Sequence, residues 1–299
     1  MKVLDRLKTG LVLTKDSVLV MRHNPRLALF PIVSGIAAAA FLATFLGITF
    51  GFLLADFSFA GADTANLIVL ALGIGIIYLG TTFISAFFTA GLVHQTRAVL
   101  SGEESSLRAG MSGAWERKWP LLAWALISAT VGVILNAIAD SNSTVGQTLS
   151  AIFGIAWTLM TFFIIPVIVF EKTSIRGMFT RSAGTFKDTW GETPISLGGL
   201  TLISMAAGLP FIVPGGYLLF GASVGATLQV LGAVLFVGGI LLVTLVNHTL
   251  RGIVKTTLYF YSTEGIQPEE FDNVDFDQLS KDDESSASTP VGATSGGFR

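Results

Sequence analysis

The chain contains no cysteine and few charged residues. The absence of cysteine excludes disulfide bonds, thiolate nucleophiles, thiolate-ligated metals and iron–sulfur clusters. Charged residues make up 13% of the 299 residues, which is about half the fraction usual for a soluble domain. Hydrophobic residues make up 52%, and the mean hydropathy is +0.70. This composition excludes an ordinary soluble protein and indicates an integral membrane protein.

Six apolar segments are long enough to cross a bilayer, since about 20 helical residues span its hydrocarbon core. The predicted spans are Ala28–Leu54, Asn66–Val93, Trp119–Ala139, Gly146–Phe170, Ile195–Val213 and Ser223–Val246. The last two divide a single stretch without charged residues, and Pro210, Pro214 and Gly215 predict the turn between them. The predicted fold class is therefore an all-α, polytopic transmembrane helical bundle of six spans with cytoplasmic interfacial helices.

The basic residues are confined to one side of this predicted topology. Six Lys and Arg precede the first span, four lie in residues 94–118, four in residues 171–194 and four after the sixth span. The connections on the other side contain none. By the positive-inside rule, both termini are expected in the cytoplasm, with the protein in the cell membrane.

Three regions are expected along the chain. Residues 1–27 predict an amphipathic cytoplasmic helix, which either lies in the membrane interface or packs against the protein's own cytoplasmic face. Residues 28–261 form the six-span domain with amphipathic cytoplasmic connections. Residues 262–299 contain nine acidic and two basic residues and are expected to be a disordered tail. Phe271 and Phe276 are candidate anchors of this tail, on a partner or on the protein itself.

A short motif occurs after the second and after the sixth span. His94 and Arg97 match His248 and Arg251 in spacing and position. Residues three apart share one helix face, so each pair could bind a lipid phosphate or an acidic partner. The alternative is that these side chains only anchor the helices at the interface.

Small residues predict two close helix contacts. Along the first span they recur every four residues, which allows another backbone to approach; they are Gly35, Ala39, Ala43, Gly47 and Gly51. The partner would be a span of the same chain or of a second copy. A second seam is predicted at Gly221, Gly225 and Gln229.

No catalytic or metal-binding constellation is found in the sequence. The three histidines lack metal-ligand spacing. Gly221–Gly225 matches the Gly-x-Ser-x-Gly pattern, but His248 would lie roughly 37 Å along the helix from Ser223. We therefore predict no catalytic residue, no cofactor, no metal and no nucleic acid partner.

Two functional hypotheses follow from this. The first is a non-enzymatic membrane protein that interacts with lipids, with an unidentified membrane or cytoplasmic protein, or with a second copy of itself. The alternative is a carrier or channel for a small, weakly polar or lipid-like solute, with Pro210, Pro214, Gly215, Asn136 and Gln147 along its path. A polar cavity near the midplane would favour the alternative.

The chain carries a series of landmarks in a fixed order, namely Asn24–Pro31, Phe162–Glu171, Arg181–Ser182, Thr189–Glu192, Leu258–Tyr261, Gly265, Pro268 and Phe271. In this order they resemble those of an uncharacterised family of six-span integral membrane proteins of archaea and bacteria, a domain of unknown function. The resemblance implies the six-span topology and no catalytic residue.

Overall fold

The structure is a computed structural model that describes residues 3–56, 64–140, 143–189, 198–221, 225–265, 267–272 and 274. Within these ranges the chain forms helices and turns and no strand. The helices are α1 (Val3–His23), α2 (Leu29–Asp56), α3 (Thr64–Leu100), α4 (Leu107–Glu116), α5 (Lys118–Ala139), α6 (Thr144–Met160), α7 (Ile164–Phe170), α8 (Ile175–Thr189), α9 (Gly198–Phe220) and α10 (Ala226–Glu264). Short 3₁₀ helices occur at Pro25–Ala28 and Glu269–Phe271.

Six helical segments are long and apolar enough to cross a membrane, which confirms the predicted fold class. They are Pro25–Ile48, Ala71–Leu100, Lys118–Ala139, Thr144–Phe170, Leu200–Phe220 and Ala226–Glu264. The fourth combines α6 and α7 across a turn. Helices α3 and α10 contain 37 and 39 residues. At about 1.5 Å per residue each exceeds 50 Å, so both continue beyond a hydrocarbon core of about 30 Å.

The turn between the fifth and sixth spans lies later than predicted. Pro210 and Pro214 are inside α9, which continues to Phe220, so the predicted break at these residues is wrong. The connection between the two spans instead follows Phe220, and α10 begins at Ala226. Prolines are tolerated within membrane helices because neighbouring groups satisfy the backbone positions that proline leaves unpaired.

The most deeply buried side chains lie near the end of the bundle that carries the basic residues, here called the basic end. Fully buried examples are Phe30, Phe163, Leu250 and Ile253. The last third of α10 lies at the centre, in contact with α1, α3, α7 and α8. Many apolar side chains elsewhere on the spanning helices are exposed, as expected of surfaces that face lipid.

Helix α1 packs on the protein itself. Its side chains Leu13 and Val20 are 1% and 2% exposed and belong to the main hydrophobic core. The helix contacts α9, α10 and the 3₁₀ helix Glu269–Phe271. Of the two alternatives for this amphipathic segment, the structure therefore favours docking on the bundle. The two other predicted amphipathic connections are α4 and α8.

The acidic tail begins later than the predicted boundary at residue 262. Helix α10 continues to Glu264, and Phe271 and Val274 are buried in the core. The amide of Gln267 donates hydrogen bonds to the carbonyl oxygens of Phe271 at 2.7 Å and Val274 at 3.1 Å. Phe271 thus anchors this segment on the protein itself. Phe276 and the predicted disorder of residues 275–299 lie outside the described residues.

Candidate functional site

The ridge of small residues on α2 does not pack against another span in the described chain. All five of its residues are exposed; they are Gly35, Ala39, Ala43, Gly47 and Gly51. A Cβ atom on any of the three glycines would meet nothing within 4 Å. Of the two expected partners, a span of the same chain is not found at this ridge among the described residues. Packing against a second copy stays a prediction.

A groove of about 590 Å³ lies beside this ridge, between α2, α3 and α10. Its lining is mainly aliphatic and aromatic, with several hydroxyl groups and one imidazole. The lining residues are Phe30, Pro31, Ile32, Ser34, Gly35, Ile36, Ala38, Ala39, Thr81, Ser85, Phe88, Thr89, Leu92, Leu241, Thr244, Leu245 and His248. Several of them are exposed, so the groove opens sideways towards the surrounding lipid.

The groove is about as deep as one leaflet of a bilayer. On α3 it extends from Leu92 at the basic end to Thr81, and on α2 from Pro31 to Ala39. At 1.5 Å per residue these segments measure about 16 and 12 Å. A hydrocarbon core is about 30 Å thick. The groove therefore extends from the basic end to near the midplane.

The hydroxyl groups make the wall of this groove only weakly polar. Thr81, Thr89 and Thr244 donate hydrogen bonds to carbonyl oxygens one turn earlier in their own helices, at 2.8, 2.7 and 2.9 Å. Such bonds satisfy the donor of each threonine. The threonines therefore present methyl groups and acceptor oxygens to the groove.

A second cavity of about 450 Å³ lies on the other side of α3, between α3, α5 and α7. Six of its nine lining residues carry a hydroxyl group, and three of those also line the groove. The nine are Tyr78, Thr81, Thr82, Ser85, Ala86, Thr89, Trp124, Ser128 and Ile165. Ser128 is ten residues into α5, about 15 Å from the start of that helix. A polar cavity therefore reaches the level of the midplane.

His248 lies at the basic end of the groove, and Arg251 lies beyond it on the same helix. His248 lines the groove, and both side chains are exposed. Arg251 follows one helical turn later and donates a long hydrogen bond of 3.5 Å to the Thr201 hydroxyl. The ion pairs among the described residues involve Arg26, Arg97 and Arg181, so none of them includes Arg251.

The matching pair on α3 has a different environment. The ring of His94 packs on α4, where a Cβ on Gly113 would lie 2.5 Å from it. The Arg97 guanidinium lies 5.1 Å from the centre of the Phe170 ring and 4.7 Å from that of Phe260. It also pairs with Glu264 at 3.4 Å. His94 and Arg97 are thus engaged within the protein, whereas His248 lines the groove and Arg251 is exposed one turn beyond it.

The seam predicted at Gly221, Gly225 and Gln229 forms no close helix contact among the described residues. A Cβ on Gly225 would meet nothing within 4 Å, and the atoms nearest to one on Gly221 belong to Tyr217 of α9. Gln229 is exposed. The close contact between α9 and α10 instead involves other glycines, namely Gly208, Gly215, Gly232 and Gly239. These four sit deeper in the two helices than the predicted seam.

The predicted solute path is not brought together as one site. Asn136 and Gln147 are exposed near the end of the bundle opposite the basic end, and neither lines the groove or the second cavity. The same holds for Pro210, Pro214 and Gly215, which line neither the groove nor the second cavity. The sequence reasoning missed the hydroxyl stripe of α3. Its signal is the four-residue spacing of Thr81, Ser85 and Thr89.

Charged groups at the basic end mainly tie helices together. Glu171 accepts hydrogen bonds from the Arg181 guanidinium at 2.9 Å and from the Tyr259 hydroxyl. The Lys255 ammonium lies 4.8 Å from the centre of the Phe162 ring. Among the described residues, no group of three or more His, Asp or Glu side chains is placed to hold a metal ion.

A profile of the Family of unknown function (DUF6159) matches residues 64–268. The chain belongs to this family. The match confirms the resemblance to an uncharacterised family, and it covers α3 to α10 with both walls of the second cavity. No curated protein and no solved structure matches the chain significantly. Family membership therefore assigns no activity, and the function must be argued from the geometry.

Proposed function

We propose that this multi-pass protein of the cell membrane is non-enzymatic and binds a lipid-like solute in the groove between α2, α3 and α10. The observation that carries this proposal is the shape of the groove. It opens sideways to lipid, and it runs along the helices for about the depth of one leaflet. An acyl chain that enters from the bilayer would lie parallel to the helices along this length.

The size and lining of the groove also support an amphiphilic ligand. Its volume of about 590 Å³ lies within the usual range of roughly 300 to 1,000 Å³ for small-molecule sites. The threonine donors are already satisfied within their own helices. A ligand with many polar groups would find few donors there, whereas a hydrocarbon chain with an occasional polar group fits.

Carriage of this solute is a second candidate function, favoured by the second cavity. Thr81, Ser85 and Thr89 separate the groove from a hydroxyl-lined cavity that reaches the midplane. Polar surface at this depth is unusual in a closely packed bundle and typical of a transport path. In this proposal the basic end faces the cytoplasm, as the distribution of Lys and Arg favours.

Photocrosslinking tests the binding proposal. The purified protein in lipid nanodiscs is exposed to a photoactivatable single-chain lysophospholipid, and the labelled peptides are identified. Gly35→Trp should fill the groove and strongly reduce labelling of α2, α3 and α10. A Cβ at this position meets nothing within 4 Å, so the variant is expected to fold.

Gly47→Trp is the matched control for this experiment. Gly47 lies on the same helix and is equally exposed and free of neighbours, but it does not line the groove. Its labelling should equal that of the unmodified protein. Equal labelling of all three proteins, or labelling spread over the whole lipid-facing surface, would contradict the proposal.

A further inference from the structure

We propose that the mouth of the groove binds the phosphate of an anionic phospholipid through His248 and Arg251. This inference rests on the proposed lipid-binding function and adds the class of headgroup. Its basis is the order of groups along α10. Aliphatic residues Leu241 and Leu245 line the groove, His248 follows at the basic end, and Arg251 comes one turn further.

This order matches the order of groups in a phospholipid. The acyl chain occupies the apolar groove, and the phosphate comes next towards the aqueous phase. Arg251 is the first charged residue after the uncharged stretch 193–250. It is therefore the first cation on α10 beyond the part of this helix that lines the groove.

The charge at the groove mouth is not compensated by an ion pair. The three ion pairs among the described residues engage Arg26, Arg97 and Arg181. Arg251 and Lys255 both lie near enough to His248 to interact with it electrostatically. Arginine is well suited to phosphate, because its guanidinium can donate two parallel hydrogen bonds.

The comparison with α3 makes the assignment specific. His94 and Arg97 have the same spacing, but their side chains contact Gly113, Phe170 and Phe260 within the protein. Arg97 already has a carboxylate partner in Glu264. The lipid phosphate is therefore assigned to His248 and Arg251 on α10. Arg97 is a matched control of the same residue type.

The test measures headgroup preference in the purified full-length protein. Photoactivatable phosphatidylglycerol and phosphatidylcholine with identical acyl chains compete for the groove in nanodiscs. We expect a preference of about fivefold for the anionic lipid, which corresponds to one cation near the headgroup. Arg251→Gln should reduce this preference to near unity while labelling of the groove continues. His248→Gln should reduce it partly.

Arg97→Gln, or Arg97→Lys if the first variant folds poorly, should leave the preference unchanged. The inference is overturned if Arg251→Gln keeps the fivefold preference or if both arginine variants lose it equally. It is also overturned if inorganic phosphate at millimolar concentration displaces the lipid, since the site would then bind a free anion.

The failure of this inference can be distinguished from the failure of the proposed function. If Gly35→Trp abolishes labelling of the groove but the unmodified protein shows no headgroup preference, only the headgroup inference is contradicted. Labelling that ignores Gly35→Trp would remove the lipid-binding groove itself.

Discussion

Gly215 of α9 and Gly232 of α10 face each other across a close contact between the fifth and sixth spans. A Cβ on Gly215 would lie 2.9 Å from the carbonyl oxygen of Gly232 and 2.5 Å from the backbone nitrogen of Phe236. A Cβ on Gly232 would lie 3.0 Å from the carbonyl oxygen of Gly215. The two backbones approach closely because neither residue has a side chain.

Gly215→Ala is therefore expected to destabilise the protein. The added methyl group meets backbone atoms that cannot move aside, and overpacking of this kind costs about 1–3 kcal/mol. Gly216→Ala is the control, because a Cβ there meets the Phe236 ring at an ordinary 3.5 Å. Unfolding in detergent should show a lower midpoint for the first variant only. Similar midpoints for both variants would contradict the close contact.

Water is expected in the second cavity. Ser128→Cys introduces a thiol into this cavity, and the chain has no other cysteine. A thiol reacts through its thiolate, which needs an aqueous environment. A cationic methanethiosulfonate should therefore label it many times faster than Leu126→Cys, whose parent residue on the same helix is 55% exposed and faces outward. Equal rates would mean that the cavity is dry.

The stability contributed by Asp16 should depend on pH. Asp16 is 3% exposed, and its Oδ2 has no hydrogen-bond partner among the described residues. Burial raises the pKa of this carboxyl above 3.8, against the opposing charge of Lys15. The folded state thus holds the proton more tightly than the unfolded state. This contribution is fully favourable below pH 3.8 and is lost as the pH rises through the folded pKa.

Asp16→Asn is accordingly expected to raise the thermal unfolding midpoint at neutral pH. Its advantage over the unmodified protein should shrink as the pH is lowered from neutral through the raised pKa of the buried carboxyl, which then takes up its proton. Asp140→Asn, at an exposed carboxyl, should show no such trend. A constant advantage of Asp16→Asn across this range would exclude titration of Asp16.

Arg97 is expected to stabilise the basic end rather than to bind a ligand. Its guanidinium lies over two aromatic rings and beside Glu264. Cation–π contacts at exposed sites contribute about 0.5–1 kcal/mol each, so Arg97→Gln should lower stability by about 1–2 kcal/mol. Arg251→Gln is the control, since among the described residues that side chain makes one long hydrogen bond and no ion pair. Equal stability of the two variants would contradict this division of roles.

Much of the fold was accessible from the sequence, but the site was not. The hydroxyl stripe of Thr81, Ser85 and Thr89 lies in a helix whose composition is otherwise apolar. Threonine and serine bond to their own backbone in many membrane helices, so their presence alone does not indicate a cavity. The four-residue spacing on α3 became informative only once α5 and α10 were placed on its two sides.

The spacing of small residues likewise did not identify which helix faces meet within the described chain. Gly35 and Gly47 have the spacing of residues that allow close helix contact, yet both are exposed. Gly215 and Gly232 do form such a contact, although the sequence places Gly215 in a turn and does not distinguish Gly232. Lipid chains are as apolar as neighbouring helices, so hydrophobicity does not mark which face of a membrane helix is buried.

The sequence by itself determined the class of protein, the number of spans and the side on which the basic residues lie. It could do so because a segment of this chain that crosses the hydrocarbon core must be a helix long enough to span it. Charged residues are also excluded from the centres of such helices. Only the tertiary structure decided that α9 continues past Pro214, that the groove lies beside α2, and that Arg251 is available while Arg97 is not. Those features depend on which helices pack against each other. A local sequence pattern does not identify the helix that packs against it.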